Sequence, residues 1–129
     1  MKSSHKQILY DAYELSKSHT TDLKTNYSLC AIIKIGKNKH IGYNRKKTHP
    51  LQKEFGKNSH SIYLHAEIDA IRQAYRVEGY LGEANLYIAR SRSDGSIATA
   101  MPCKGCQKAI QHFNISNIYF TTENGYGKL

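Results

Sequence analysis

Two short stretches of sequence decide the fold: HAEIDAIRQAY at residues 65–75 and PCKGCQKAIQHF at residues 102–113. In the first, Ile68, Ile71 and Tyr75 recur at helical spacing, and Gly79 suits the end of the helix. In the second, Pro102 suits the first turn of a helix. The apolar residues that follow it at helical spacing are Cys106, Ala109, Ile110 and Phe113. Each stretch therefore predicts a helix that begins with residues able to bind a metal ion.

Short apolar runs lie on either side of these helices and predict the strands of a sheet. The runs are residues 29–33, 40–44, 86–89 and 118–121. A first helix is predicted over residues 6–17, because Ser4 and Gln7 have the spacing of a capping box before it. The order α-β-β-α-β-α-β favours an α/β fold in which helices cover both faces of one sheet.

Turn signals predict the segments around the last strand. Asp94 and Gly95 mark a turn, after which residues 96–100 are expected to pair back as a hairpin arm. Residues 125–129 are expected to form a loose tail, so the predicted sheet ends with the strand over residues 118–121.

The length and composition indicate a single globular domain over residues 1–129. Of these residues 40% are hydrophobic and 22% charged, which is too apolar for a disordered chain. No apolar run approaches the ~20 residues that cross a membrane, so no membrane partner is expected. The first residues do not resemble a signal peptide, which makes the cytoplasm the expected location. The three cysteines do not suggest a disulfide framework.

The charge of the chain is strongly positive, with a formal net charge of +9. Residues 34–57 contain eight lysines and arginines and one acidic residue, Glu54. The positive electrostatic field of such a segment attracts phosphate groups, whether they belong to a nucleotide or to a polymer. The alternative explanation of this charge is that the coding sequence is biased toward lysine and that these side chains simply form a solvated surface.

His65, Cys103 and Cys106 are the predicted ligands of a zinc ion. Zinc binds imidazole nitrogen and thiolate sulfur well, and two cysteines three residues apart at a helix start can converge on one ion. No fourth ligand is adjacent in sequence, so the remaining position is expected to hold a water whose pKa the ion lowers toward 7. Glu67, two residues after His65, is the predicted proton carrier. The alternative is a non-catalytic structural zinc module. Its fourth ligand would be Cys30, His60 or His112.

Two further residues receive structural interpretations. Cys30 is expected to be a small buried hydrophobic residue on its strand. Asp69 is expected to point away from Glu67, and to be either solvated or paired with Arg72 three residues later.

The pattern H-x-E followed by P-C-x-x-C, with each half opening a helix, resembles the cytidine and deoxycytidylate deaminase superfamily. This superfamily includes tRNA adenosine deaminases and polynucleotide cytosine deaminases, and the resemblance runs from about residue 8 to residue 120. It implies a mixed sheet between helix layers, a three-layer α-β-α fold, and hydrolytic deamination with Zn²⁺ as cofactor. It also implies that His65, Cys103 and Cys106 hold the zinc while Glu67 shuttles protons.

The same resemblance implies substrate-binding residues. The backbone N–H of Ala66 is expected to contact the base, and Asn44 is expected to contact the sugar or the base. Arg45 or Lys46 is expected to hold a phosphate. The chain departs from the family by ending soon after the last predicted strand. The strand left at that edge is one that a second copy would cover in a homo-oligomer.

Two kinds of cytosine substrate remain open. Single-stranded DNA, or a related polynucleotide, is favoured because eight cations exceed what one phosphate requires. The alternative is a free cytosine nucleotide, converted from dCMP to dUMP, since a short chain with His-Ala-Glu resembles the deoxycytidylate branch. An adenosine in RNA is a further alternative, because the zinc motif does not distinguish cytosine from adenine.

Overall fold

The structure is a computed structural model that describes residues 3–18, 27–45, 51 and 65–129. The helices are α1 (Ser3–Ser18), α2 (Ala66–Glu78) and α3 (Lys104–His112). The strands are β1 (Tyr27–Ile35), β2 (Asn38–Tyr43), β3 (Asn85–Arg92), β4 (Ile97–Ala98), β5 (Asn117–Thr122) and β6 (Gly125–Lys128). Within these described ranges, no helix has the length and apolar character needed to cross a membrane.

The strands form one mixed sheet in the order β2-β1-β3-β5-β6, with β4 paired to β3. β1 is antiparallel to both of its neighbours, whereas β3 and β5 are parallel. Parallel strands need a long crossover connection, and here that connection contains α3. The sheet confirms the α/β fold predicted from the alternation of helices and strands.

Helices cover both faces of the sheet and divide the hydrophobic core into two parts. On one face α1 buries Ile8, Leu9 and Ala12 against residues of β1 and β3 that include Cys30 and Tyr87. On the other face α2 and α3 pack against the alternate residues of the same strands, because successive side chains of a strand point to opposite sides. The three-layer α-β-α arrangement is therefore confirmed. Cys30 is fully buried under α1, as predicted.

The hairpin arm predicted after β3 is present as β4, which pairs with the last residues of β3. The buried hydroxyl of Thr121 in β5 donates to the carbonyl of Ala98 at 2.8 Å and accepts the backbone N–H of Arg90 at 3.2 Å. The Thr121 carbonyl accepts the N–H of Ala100 at 2.9 Å. These bonds hold the arm between β3 and β5, so the chain that leads into Pro102 and α3 is fixed.

Two local predictions at the ends of the chain are wrong. α1 already includes Ser3, so Ser4 lies inside the helix and is not its cap; the Gln7 side chain instead donates to Asp11 at 2.9 Å. Residues 125–128 are not a loose tail but form β6, which pairs antiparallel with β5. The outer edge of β5 offers backbone hydrogen-bonding groups, and a tight turn lets the chain itself pair with them.

β2 runs antiparallel to α2 and touches its backbone. At the start of β2, the Asn38 side chain donates to Glu78 at the end of α2, at 2.8 Å. Near the other end, Gly42 is buried, and a Cβ there would lie 2.3 Å from the backbone nitrogen of Ala70. Because the strand lies along the helix in this direction, the residues that follow β2 lie beside the first turns of α2.

Candidate active site

The starts of α2 and α3 bring His65, Cys103 and Cys106 together. His65 is the N-cap residue of α2 and Cys103 is the N-cap residue of α3, both with extended backbone, and Cys106 follows in the first turn of α3. Each residue offers one ligand atom, and the three atoms lie within 4.8 Å of one another. The fold thus assembles the set of residues that the sequence predicts as a metal site.

The distances between these atoms fit a single tetrahedral ion. Nδ1 of His65 lies 3.4 Å from Sγ of Cys106 and 3.8 Å from Sγ of Cys103. Ligands at about 2.2 Å from a tetrahedral zinc ion lie roughly 3.6 Å from one another. One imidazole nitrogen and two sulfurs are also a donor set that zinc prefers. By distance and by chemistry, these residues fit zinc.

The surroundings of the two sulfurs favour a thiolate. The first N–H groups of α2 and α3 have no partner within their own helices and carry partial positive charge. Hydrogen bonds with Cys106 and with His65 lower the pKa of the Cys103 thiol to about 3. The same hydrogen bond, together with burial, raises the pKa of Cys106. The cluster therefore supplies at least one thiolate at neutral pH, which is the form that binds a metal.

No further histidine, cysteine or acidic side chain within the described ranges joins this cluster. Cys30 faces α1 on the opposite side of the sheet, and His112 is exposed at the far end of α3. His60 lies outside the described residues. Neither of the two described alternatives, Cys30 and His112, lies where it could supply a fourth ligand.

Glu67 lies in the first turn of α2 and is almost completely buried, with 5% of its surface exposed. Burial raises the pKa of this carboxyl above its ordinary value, although its own backbone N–H and His65 act in the opposite direction. Its side chain also interacts with Cys106, so it lies against the ligand cluster without joining it. A carboxyl group with a raised pKa in this position is suited to exchanging protons near neutrality.

A comparison with known families decides what this site belongs to. Residues 2–122 match the family described as the cytidine and deoxycytidylate deaminase zinc-binding region. The chain belongs to the cytidine and deoxycytidylate deaminase family. It is therefore a zinc-dependent hydrolytic deaminase, and the predicted enzyme class and cofactor are confirmed.

Solved structures share the fold of this deaminase. The dCMP deaminase of cyanophage S-TIM5 has a TM-score of 0.62 at 20% identity, over 95% of this chain and 86% of that one. The cytidine deaminase of Mycobacterium leprae has a TM-score of 0.59 at 16% identity, over 93% and 88% of the two chains. That of Burkholderia pseudomallei has a TM-score of 0.64 at 11% identity, over 100% and 91%. No protein with a curated description matches the deaminase.

Three of the four predicted substrate-binding residues lie near the start of α2. Ala66 is its first residue, so its N–H is one of those without a partner inside the helix. Asn44 follows β2, is buried, and accepts the N–H of Leu29 at 3.0 Å through Oδ1. Arg45 comes next and has a partly exposed side chain. Lys46 lies outside the described residues. The contacts of all four with a substrate stay predictions.

The structure decides between the two alternatives that the sequence left for Asp69. Its carboxylate pairs with Arg72 at 2.7 Å, as the spacing along the helix predicts. It is not solvated, because its side chain is completely buried. It also accepts a hydrogen bond from Arg45 at 3.0 Å and one from the backbone N–H of Tyr43 at 2.9 Å. These two contacts depend on the packing of β2 against α2, and no local sequence pattern signals them.

Proposed function

We propose that this deaminase converts cytosine to uracil in a phosphate-bearing substrate, and that single-stranded DNA is the favoured form of that substrate. His65, Cys103 and Cys106 are the proposed zinc ligands, and Glu67 is the proposed proton carrier. The observation that carries the proposal is the convergence of three ligand atoms, within 4.8 Å, beside a buried carboxyl group.

The reaction adds water across the N3=C4 bond of cytosine and then breaks the C4–N4 bond, which releases ammonia. When bound, zinc supplies the acidity that makes water a nucleophile at neutral pH. Glu67 accepts a proton from the attacking water and passes it to ring nitrogen N3. A second proton then passes from the new hydroxyl group on C4 through Glu67 to the amino group, which leaves as ammonia while the C4 carbonyl of uracil forms. Burial suits Glu67 to this task, because a carboxyl with a raised pKa both accepts and returns protons readily.

The start of α2 supplies the proposed contacts to the base. The N–H of Ala66 points out of the helix start and is proposed to donate to the base. Asn44 is proposed to contact the sugar or base from the adjacent end of β2. Its side-chain oxygen is bonded to the backbone of Leu29, which holds the amide group in one orientation.

The charge of the chain supports a polymer substrate. Eight lysines and arginines between residues 34 and 57 surround the position of Asn44 in the sequence, and a groove lined by cations suits a strand of phosphates. Arg45 and Lys46 are the members of this segment proposed to lie closest to the reacting nucleotide.

A second candidate substrate is free deoxycytidylate. One observation favours it: Arg45, which follows β2, is bonded to Asp69 of α2 at 3.0 Å, and a guanidinium can bind the phosphate of one nucleotide. The fold shared with the cyanophage dCMP deaminase is compatible with this candidate.

Side-by-side assays distinguish the substrates. Uracil formation is measured on a single-stranded oligodeoxynucleotide and on deoxycytidylate, with inosine formation on an adenosine-containing RNA as a third arm. For about three phosphate contacts, a change from about 50 to about 200 mM salt should weaken polymer binding roughly twentyfold. If deoxycytidylate is turned over as fast as the oligonucleotide or faster, the free nucleotide becomes the favoured substrate instead of DNA. Inosine formation alone would overturn the assignment to cytosine.

The role of Glu67 is tested by Glu67→Gln, with the exposed Glu83→Gln as a matched control. We expect the first variant to lose deamination by about 10²-fold or more while retaining its zinc, because only the proton carrier is removed. The control should keep full activity. An active Glu67→Gln protein would show that another group moves the protons.

A further inference from the structure

Asp69 joins the end of β2 to the active-site helix. Oδ2 of Asp69 accepts the backbone N–H of Tyr43 at 2.9 Å and the Nε–H of Arg45 at 3.0 Å. Oδ1 accepts Arg72, whose Nε and Nη2 lie 2.8 and 2.7 Å away. Asp69 lies one helical turn after His65, and its N–H donates to the His65 carbonyl. One buried carboxylate therefore fixes the segment that carries Asn44 and Arg45 relative to the proposed metal site.

Among the described residues, Arg45 bonds to Asp69 through Nε, and this contact leaves its outer nitrogens available. A guanidinium has five N–H groups in a rigid, planar fork, and the bond to Asp69 uses the one on Nε. The remaining four belong to the terminal nitrogens, and 41% of the side chain is exposed. A guanidinium fixed at one edge and open at the other is suited to binding a phosphate.

Neutralising the buried charge of Asp69 does not require Arg45. Arg72 already pairs with the carboxylate, through two nitrogens and with a less exposed side chain than Arg45. The bond between Asp69 and Arg45 therefore has a larger effect on the orientation of Arg45 than on the burial of Asp69.

We propose that Asp69 is a positioning residue for the substrate phosphate: it holds Arg45 at the end of β2 so that the terminal nitrogens of the guanidinium engage a phosphate of the cytosine substrate. This inference rests on the proposed function, because it takes the substrate to be phosphate-bearing. A guanidinium that is already oriented loses little side-chain entropy when the substrate binds.

The test is Asp69→Asn, which keeps the shape of the side chain and an acceptor for Tyr43 but removes the charge that orients Arg45. Steady-state kinetics are measured on the single-stranded oligonucleotide and on deoxycytidylate, and binding of dUMP and of deoxyuridine is measured by calorimetry. We expect KM for the phosphate-bearing substrate and Kd for dUMP to rise about tenfold. The kcat should stay within about twofold, and binding of deoxyuridine should not change.

Arg72→Gln is the matched control, since it also removes an ion pair from Asp69 but leaves Arg45 in place. If the role of Asp69 is purely structural, both variants should lower kcat to the same extent and weaken the binding of dUMP and of deoxyuridine equally. That result would overturn the proposal. Unchanged KM and dUMP binding in Asp69→Asn would also overturn it.

Arg45→Ala separates this inference from the proposed function. If Arg45→Ala weakens dUMP binding but Asp69→Asn does not, Arg45 binds phosphate without help from Asp69, and only the positioning role fails. If neither variant has an effect while the enzyme still deaminates cytosine, the proposed phosphate contact fails as well. If the wild-type enzyme forms no uracil on either substrate, the proposed function itself fails.

Arg45→Lys keeps the test decisive if Asp69→Asn does not fold. Lysine retains the positive charge but cannot bond to Asp69 through one edge while presenting a fork to the phosphate. We expect this variant to weaken dUMP binding about tenfold and to leave deoxyuridine binding unchanged. Wild-type affinity for dUMP in Arg45→Lys would show that charge alone is sufficient and would overturn the proposal.

Discussion

Replacing Gly42 by alanine is expected to force β2 away from α2. The new Cβ would lie 2.3 Å from the backbone nitrogen of Ala70 and 2.5 Å from the carbonyl oxygen of Ala66. Ordinary contact distances begin near 3.4 Å, so the two backbones must separate by roughly 1 Å. Neither clashing atom lies on a flexible side chain that can turn aside.

The cost of this separation is at the upper end of the overpacking range, about 3 kcal/mol. Such a loss is a large part of the ~5–15 kcal/mol by which domains of this size are stable. With a urea m-value of about 1.5 kcal/mol/M, the midpoint of unfolding should fall by about 2 M. Activity should also fall, because Asn44 and Arg45 are attached to the displaced end of β2.

Urea unfolding followed by circular dichroism measures the effect, and Gly36→Ala is the matched control. Gly36 lies in the turn before β2 with φ of +56°, and a Cβ there would meet nothing within 4 Å. Its replacement should cost only backbone strain, about 1 kcal/mol. Both changes reduce the entropy of the unfolded chain equally, so that contribution cancels, and the difference between the two variants is the cost of the clash at Gly42 less the strain at Gly36. If Gly42→Ala is no less stable than Gly36→Ala, the described contact between β2 and α2 is wrong.

Three further outcomes are expected. Cys103→Ser should bind little zinc and unfold at a lower temperature than the wild-type enzyme, as measured by metal analysis and thermal denaturation, because two of the three proposed ligands cannot hold the ion alone. Burial raises the pKa of Cys30 to about 12, so at pH 8 the fraction of this thiol present as thiolate is about a thousandfold below that of a free thiol. A thiol reagent should therefore label Cys30 only after the protein is unfolded in urea. Thr121→Val should cost about 1–3 kcal/mol in urea unfolding, because the Ala98 carbonyl and the Arg90 N–H both lose their partner.

For each of these three predictions, one result would contradict it. Stoichiometric zinc in Cys103→Ser would remove that residue from the proposed ligand set. Rapid labelling of native Cys30 would mean that the face of the sheet under α1 opens easily. A Thr121→Val protein as stable as the wild type would show that β4 does not depend on the bonds to β5.

The sequence alone predicted much of the fold, and it also indicated the residues of the proposed ligand set. Helical periodicity and Pro102 located α2 and α3, and the apolar runs located the main strands, because both signals come from which side chains must be buried. The three proposed ligands and Glu67 could be picked out from the sequence for a related reason. His-x-Glu and Cys-x-x-Cys place their side chains on single helix turns, so spacing along the chain already determines their spacing in space.

Contacts between elements that are distant in sequence were decided by the tertiary structure. Residues 125–128 have no strong strand pattern, and they became β6 only because β5 offered them an open edge. The local pattern around Asp69 pointed to Arg72 and could not indicate Tyr43 or Arg45, which are more than twenty residues away. Those contacts exist because Gly42 lets β2 lie directly on α2. Local spacing therefore revealed the residues of the proposed chemistry, whereas backbone packing between remote segments determined how the proposed phosphate-binding arginine is held.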